Sequence, residues 1–400
     1  MLRSIEELDT YRYHCDDVSI SVQNSDEPIL IEKTFVHGIS MVKDFDNKII
    51  PYISLKIQVE RDMYRRIQSS LDIMRINLDI SKYKELDSEI KYRETVLKGS
   101  FKLINQDLLD PSVVDSQSSD IGDTGNDYID IDLYLYDDSY IKKYRKMLSN
   151  SIRGTLTDVI YHTFQPRGFN NVLMSHIRND RIGNFVLEYG DLGSNLKFIN
   201  HIYGIYNSPY MFFMDNDVTY MIDQSQLGKT LRPLEYGLVN MYLEEFSSVE
   251  SLESGCYVDK NNGNYIINMD SIPKIMDIDT NVEYLKYSKL NYIVSGTTHA
   301  ETLKFGELDI EKACVVNNTK LISQDMFTAN ESKRSMTISL SNIDIDIITP
   351  NKLYCLIPHK SYDVLYNMRG NYRLSKCVIS LVRDGDVDLT SKVVATLNKQ

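Results

Sequence analysis

The sequence predicts an α+β fold that is mostly β, with a small α/β region lying between two β regions. Three observations carry this. Apolar and polar residues alternate with period two through most of residues 1–138. From Ser139 the apolar period lengthens to about 3.6. Alternation then returns toward the C-terminus. The expected divisions are 1–138, 139–235 and 236–400, with a segment near 240–300 that no pattern assigns.

In the first region, Ile53, Leu55, Ile57 and Val59 alternate with Ser54, Lys56 and Gln58, which gives a strand with one buried face. Met63, Ile67 and Leu71 fall at helical spacing, so a short helix follows. Met74, Ile76, Leu78 and Ile80 resume the alternation. Val96-Leu97 and 101–104 read as a hairpin turned at Lys98-Gly99. Residues 107–127 are rich in Asp, Ser and Gly and read as a surface loop. Residues 128–136 alternate most cleanly: Ile129, Ile131, Leu133 and Leu135 share one face, and Asp130 and Asp132 the other.

In the middle region, Ile141, Tyr144 and Leu148 line one helical face, and Gly154 is expected to stop that helix. Thr155 with Asp158 three residues on makes a capping box ahead of Leu156, Val159, Ile160 and Phe164. Residues 185–189 read as a strand, 195–203 as a helix stopped by Gly204, and 210–222 as a hairpin turning at Asp215-Asn216. In the last region Lys260-Asn261-Asn262-Gly263 is a turn. Ile343, Ile345 and Ile347 alternate as a strand would. Pro350-Asn351, Gly370-Asn371 and Asp384-Gly385 are turn signals.

Composition narrows the function classes. The net charge is -13, with 57 Asp+Glu against 44 Lys+Arg, which argues against a general nucleic-acid binder that must neutralise phosphates. No apolar run approaches the roughly 20 residues of a membrane helix, and the start has no apolar signal core. Cys15, Cys256, Cys314, Cys355 and Cys377 form no CxxC pair and read as reduced thiols. There are 28 Tyr and no Trp, a bias that reads first as the mark of an AT-rich genome and that also suits wet protein interfaces.

Each candidate for chemistry has a plainer reading. Gln226-Leu227-Gly228-Lys229-Thr230 ends like a phosphate-binding loop, but Asp223 stands where that motif needs Gly, so an ordinary turn is expected. Asp215-Asn216-Asp217 lacks the further ligands, central Gly and late Glu of a calcium loop. The histidines His14, His37, His162, His176, His201, His299 and His359 include no His-x-x-x-His pair. The pairs Asp130/Asp132 and Asp344/Asp346 lie at i, i+2, the arrangement of a solvated sheet face, rather than facing each other across a glycosidase cleft. The basic run Lys142-Lys143-Tyr144-Arg145-Lys146 reads as the outer face of an amphipathic helix. No catalytic, cofactor-binding or metal-ligating residue is expected, and no cofactor.

The pattern of 53–80, the strand 128–136 leading into 139–164, Gly193-Ser194-Asn195-Leu196, Tyr203-Gly204-Ile205-Tyr206, Phe212-Phe213-Met214-Asp215 and Thr219-Tyr220-Met221-Ile222 resembles the baseplate hub (tail hub) proteins of contractile-tailed bacteriophages and related injection machines. Ile347-Ile348-Thr349-Pro350-Asn351-Lys352-Leu353 and Gly370-Asn371-Tyr372 resemble that family's second barrel. The resemblance implies two tail-tube-like β barrels around a small α/β domain, and a homotrimer. It implies a structural, non-enzymatic virion protein of the tail baseplate, assembled in the host cytoplasm. Such a protein adapts a six-fold tail tube to a three-fold central spike and encloses the channel for genome passage. Tube, spike and other baseplate proteins would be its partners. The acidic balance, separately from the resemblance, suits a lumen that DNA crosses without specific binding. A tail-tube or tube-terminator protein, or a tail-associated cell-wall hydrolase, are the alternatives.

Overall fold

The computed structural model describes residues 5–7, 11–22, 28–45, 48–69, 74–86, 89–103, 128–178, 182–215, 218–243, 255–269, 273–277, 283–287, 293–297, 320, 324, 327, 334–357, 368–384 and 388–400. The first region contains β1 (Ile5–Glu7), β2 (Arg12–Val22), β3 (Ile29–Leu30), β4 (Val36–Asp44), β5 (Lys48–Glu60), the helix Arg61–Ser69, β6 (Met74–Leu86), β7 (Glu89–Leu103) and β8 (Tyr128–Asp137). The middle region contains the helix Asp138–Arg145, β9 (Leu148–Gly154), the helix Leu156–Phe164, β10 (Val172–Met174), β11 (Gly183–Gly190), the helix Leu192–Tyr203, β12 (Tyr210–Asp215), β13 (Val218–Asp223) and the helix Leu227–Leu231. The last region contains β14 (Leu238–Leu243), β15 (Gly255–Asp259), β16 (Asn264–Met269), β17 (Lys274–Asp277), β18 (Glu283–Tyr287), β19 (Ile293–Thr297), β20 (Arg334–Ser341), β21 (Leu353–Leu356), β22 (Gly370–Asp384) and β23 (Asp388–Lys399).

The chain is mostly β, as expected; β18 and β19 pair apart, and one mixed sheet of 16 strands draws on both β regions. Eight of these strands pair in closed succession: β22, β4, β5, β8, β7, β6, β2, β23 and back to β22. The C-terminal hairpin therefore completes the ring that the first region begins. β22 pairs β21 through residues 370–373 and β4 through residues 376–382. β23 pairs β2 at His14↔Asp388 and Tyr13↔Leu389, and β20 through residues 392–398. β22 has 15 residues, about 50 Å of extended chain at ~3.3 Å per residue, long enough to serve both arrays. One continuous core runs beneath them, from Leu55, Ile57, Leu78 and Leu133 to Val239, Ile267, Tyr354 and Leu397.

The alternation read from 128–136 holds. Ile131, Leu133 and Leu135 are buried while Asp130 and Asp132 are exposed. The helix Arg61–Ser69 buries Tyr64 and Ile67. In the middle region, Asp158 accepts from the Thr155 backbone N–H at 2.7 Å, and Thr155 Oγ1 accepts from the Asp158 N–H at 3.2 Å, closing the capping box. Asp191 caps the helix Leu192–Tyr203 by accepting from the Ser194 N–H at 2.8 Å. That helix stops at Gly204, whose φ of 68° favours a residue without Cβ. Phe164, Phe169 and Phe212 form a separate core with Leu196 and Ile199. Met211, Phe213 and Ile222 on the other face of the β12–β13 hairpin pack on Leu231 and Leu353, tying the insert to the large sheet.

Four local expectations fail for identifiable reasons. Lys98-Gly99 is not a turn; β7 runs straight through it, because Lys98 and Gly99 pair with Asp79 and Leu78 in register. Residues 139–154 are not one helix. Ser149, Asn150 and Ser151 favour extended chain over helix interior, and β9 forms there against β11. The alternation at 343–348 is a 3-10 turn over Ile345–Ile347, capped by Asp344, with all three isoleucines facing the core from a compact turn instead of a strand. Gly370-Asn371 opens β22 and is not a turn. The loop expected at 107–127 lies outside the described residues, as do Asn216, Asp217 and Gly385.

Candidate functional site

A buried polar site lies where β6 meets the turn Ile345–Ile347. Lys82 sits on β6 and is 4% exposed. Its ammonium donates to Asp344 at 3.1 and 3.2 Å and to Asp346 at 2.5 Å, and Glu94 stands 3.3 Å away. The Tyr11 ring lies 5.0 Å below the charge, a cation–π arrangement. Tyr13, fully buried, donates to the Ile343 carbonyl and accepts from the Ile345 N–H, both at 3.1 Å. Asp344 thus does two jobs: its carboxylate caps the turn through the Asp346 N–H at 3.1 Å and also holds Lys82.

The electrostatics follow from burial. Desolvation opposes the charge on Lys82, but hydrogen bonding and attraction from Asp346 and Asp344 outweigh it and raise the ammonium above the ordinary lysine value. Asp344 is raised as well, by burial first and then by Asp346, because two carboxylates share one ammonium. Holding the lysine protonated in this way disfavours the free amine that a nucleophile or imine former needs. The site is a clamp between the ring and the second array. The expectation of a solvated strand face at Asp344/Asp346 is corrected by this geometry.

A second cluster secures the short β2–β23 seam. Asp388 accepts from Tyr83 Oη at 2.5 Å and from Arg12 at 3.1 Å, with His14 Nδ1 3.9 Å away. Burial and Lys33 lower the His14 imidazole. In the insert, buried Arg167 donates to the carbonyls of Lys146, Thr163 and Gly190 and to Asn195 Oδ1. Burial pulls its guanidinium down to about 10, with Asp191 opposing.

The other candidates fall apart in space. Asp130 and Asp132 point to solvent, and His37 Nε2 is 3.8 Å from Asp130. Lys142 pairs with Asp138 at 2.7 Å, Lys143 lies over Phe169, and Lys146 donates to the Pro166 carbonyl. Residues 227–231 form a short helix and not the expected turn. Cys15 and Cys256 are pushed up to about 12 and Cys377 to about 11 by burial, so these thiols are inert at neutral pH. His299, His359 and Cys314 lie outside the described residues. Among the described residues no group of three His, Cys, Asp or Glu side chains could hold a metal, and no helix is long and apolar enough to cross a membrane. A cavity of about 360 Å³ opens between the ring and the insert, lined by Phe45, Leu97, Phe101, Leu135, Phe213 and Asp346 among others. Lys82 could have been suspected from sequence only as a charged residue breaking the apolar face of β6, and the two aspartates it bonds lie 262 and 264 positions away.

Comparison with known proteins follows the architecture. The chain matches the family described as Bacteriophage PBS1 gene 109 protein over residues 14–399. No curated protein sequence matches it. Among solved structures it is similar to the tail protein from Neisseria meningitidis MC58, with a TM-score of 0.48, 12% identity and 97% of both chains covered. It is similar to the 43 kDa tail protein of prophage MuSo2 from Shewanella oneidensis, with a TM-score of 0.47, 8% identity, and 96% of this chain and 98% of that one covered. It is also similar to a chain of the lidded Francisella PdpA-VgrG complex, with a TM-score of 0.48, 10% identity, and 98% of this chain and 53% of that one covered.

Proposed function

The chain belongs to the bacteriophage PBS1 gene 109 protein family, and from that premise we propose that it is the baseplate hub of a phage tail, a structural virion protein without enzymatic activity. The observation that carries this reading is the shared hairpin β22–β23, which makes one protomer out of two β arrays with a common core. Three such protomers around an axis present six arrays. A ring of that kind can meet a six-fold tube on one side and a three-fold spike on the other, with closed symmetry on both. The polar clusters support the same reading. Each one joins separate elements of the fold, and neither the Lys82 ammonium nor the buried thiols are activated for chemistry. An acidic chain of net charge -13 suits a channel that DNA crosses without adhering.

The test is the symmetry of the assembled particle. Electron cryo-microscopy of the protein mixed with its tube and spike partners is expected to show a three-fold ring with six β units. A strictly monomeric protein in the presence of those partners overturns the hub reading, and a six-fold ring of whole chains replaces it with a tube or tube-terminator protein.

A further inference from the structure

Three hydrophobic cores of the described residues meet at one end of the ring without filling the space between them. Ile379, Met41, Ile53 and Leu135 are successive Cα partners across β22, β4, β5 and β8, so they form one inward layer of the ring. Each is at most 7% exposed, and all belong to the core shared by the two arrays. Tyr140 comes from the core of the insert, and Phe213 from the core that ties the insert to the large sheet. Phe45, at the end of β4, meets Phe213 edge-on with ring centroids 5.9 Å apart. The cavity of about 360 Å³ lies among these side chains. Apolar atoms that face a void lack contact partners on that side. An apolar cavity of about 150 Å³ is enough to bind benzene, so this one has room for a body of about two fused rings.

The charged groups on the lining are unequally engaged. Of its three carboxylates, Asp346 accepts from Lys82 at 2.5 Å and Asp137 from the Tyr140 N–H at 2.8 Å, and Asp44 is engaged as well. The two ammonium groups, Lys43 on β4 and Lys143 on the helix Asp138–Arg145, form no ion pair among the described residues. Lys143 lies over the Phe169 ring at 5.8 Å. An ammonium group offers donors and no acceptor. With two ammonium groups against three carboxylates, the lining suits one acceptor end and disfavours a polyanion such as a nucleotide.

We propose that this cavity binds a small molecule with an aromatic or aliphatic body and a single anionic end, the body against the inward layer of the ring and the anion on Lys43 and Lys143. The class follows from the lining. The ring layer offers only apolar contact, and the charged groups still free to bond are N–H donors. A pocket of this size with an apolar lining and a few polar groups is the usual form of a small-molecule site. The site does not depend on the hub reading.

Fluorescence titration of the full chain with anilinonaphthalene sulfonate tests this, with phenylnaphthylamine, the same body without the sulfonate, run alongside. The sulfonate is expected to saturate at one equivalent per chain and to bind about tenfold tighter than the neutral dye. Lys43→Met/Lys143→Met, which breaks no ion pair among the described residues, is expected to bring the sulfonate down to the affinity of the neutral dye and to leave the neutral dye unchanged. Val96→Phe and Met214→Phe narrow the cavity from two different walls. Each is expected to weaken both dyes at an unfolding midpoint equal to wild type. The lysine variant decides the matter where neither narrowed variant folds. Absence of saturable binding, or a lysine variant that weakens both dyes alike or neither, overturns the proposal. So does undiminished binding in a folded Val96→Phe or Met214→Phe, which places the dye elsewhere. The hub reading stands or falls separately, on the symmetry of the assembled particle.

Discussion

Lys82→Met is expected to destabilise the fold far more than removal of either carboxylate it holds. The substitution keeps the length of the side chain and deletes its charge. Asp344, at 12% side-chain exposure, is then left as an anion with no cation beside it. Breaking a buried ion pair from one side costs about 3–5 kcal/mol. Asp346 and Glu94 are about half exposed and can turn to water, so the expected loss lies at the low end, about 3 kcal/mol. Asp344→Asn behaves differently. The amide oxygen still caps the Ile345–Ile347 turn, Asp346 remains for Lys82, and a carboxylate whose ionisation is opposed by burial has been removed. Its expected effect is within about 1 kcal/mol of zero. The assay is urea unfolding followed by tyrosine emission, the natural probe of a chain with 28 Tyr and no Trp. The pH dependence has a definite sign. The Lys82 ammonium is raised in the fold, so its contribution is complete below the ordinary lysine value of 10.5 and is lost as pH rises through the higher folded value. Asp344 is also raised, so its contribution is complete below 3.8 and is lost as pH rises through its folded value; mild acid therefore relieves the clamp instead of breaking it. An unchanged midpoint in Lys82→Met, or an Asp344→Asn as damaging as Lys82→Met, refutes the reasoning.

Other outcomes follow from packing. Phe164→Ala removes a fully buried ring stacked on Phe212 at 5.5 Å and is expected to cost about 3–5 kcal/mol, read as a lowered urea midpoint. Gly237→Ala brings a Cβ within 2.1 Å of the Leu231 carbonyl oxygen, a backbone atom that cannot step aside; Gly193→Ala meets the Tyr144 hydroxyl at 2.0 Å, a side chain that can rotate. Gly237→Ala is therefore expected to show the larger drop in melting temperature, and the reverse order would contradict the packing described. Arg167→Met strands the carbonyls of Thr163 and Gly190, and hydrogen exchange is expected to rise first in the helix Leu156–Phe164 and in β11. On host cell wall, a zymogram is expected to show no clearing; clearing lost in Asp130→Asn or Asp344→Asn would establish the hydrolase reading instead.

Period and capping were legible because they are local. The alternation at 128–136, the Thr155/Asp158 box and the stop at Gly204 each depend on residues within one or two turns, and each stands in the structure. Lys98-Gly99 and 343–348 misread for the opposite reason. Register with β6 overrides a turn-prone Gly, and a 3-10 turn can bury Ile343, Ile345 and Ile347 as a strand would. The polar site shows the same division: Asp344 and Asp346 stand out in the sequence, but only the fold brings Lys82 between them.

By itself the sequence determined the β, α/β, β order, the amphipathic faces, the acidic balance with its basic stretch at 139–154, and the family. Tertiary structure alone decided that β22 and β23 close the ring opened by β2–β8, that two aspartates at i, i+2 grip a buried lysine, and that β9 pairs with β11 in a sheet of its own. Pairing across more than 300 residues leaves no periodic mark on either strand. It is fixed by which apolar faces can share one core, a property of the folded whole and of no single segment.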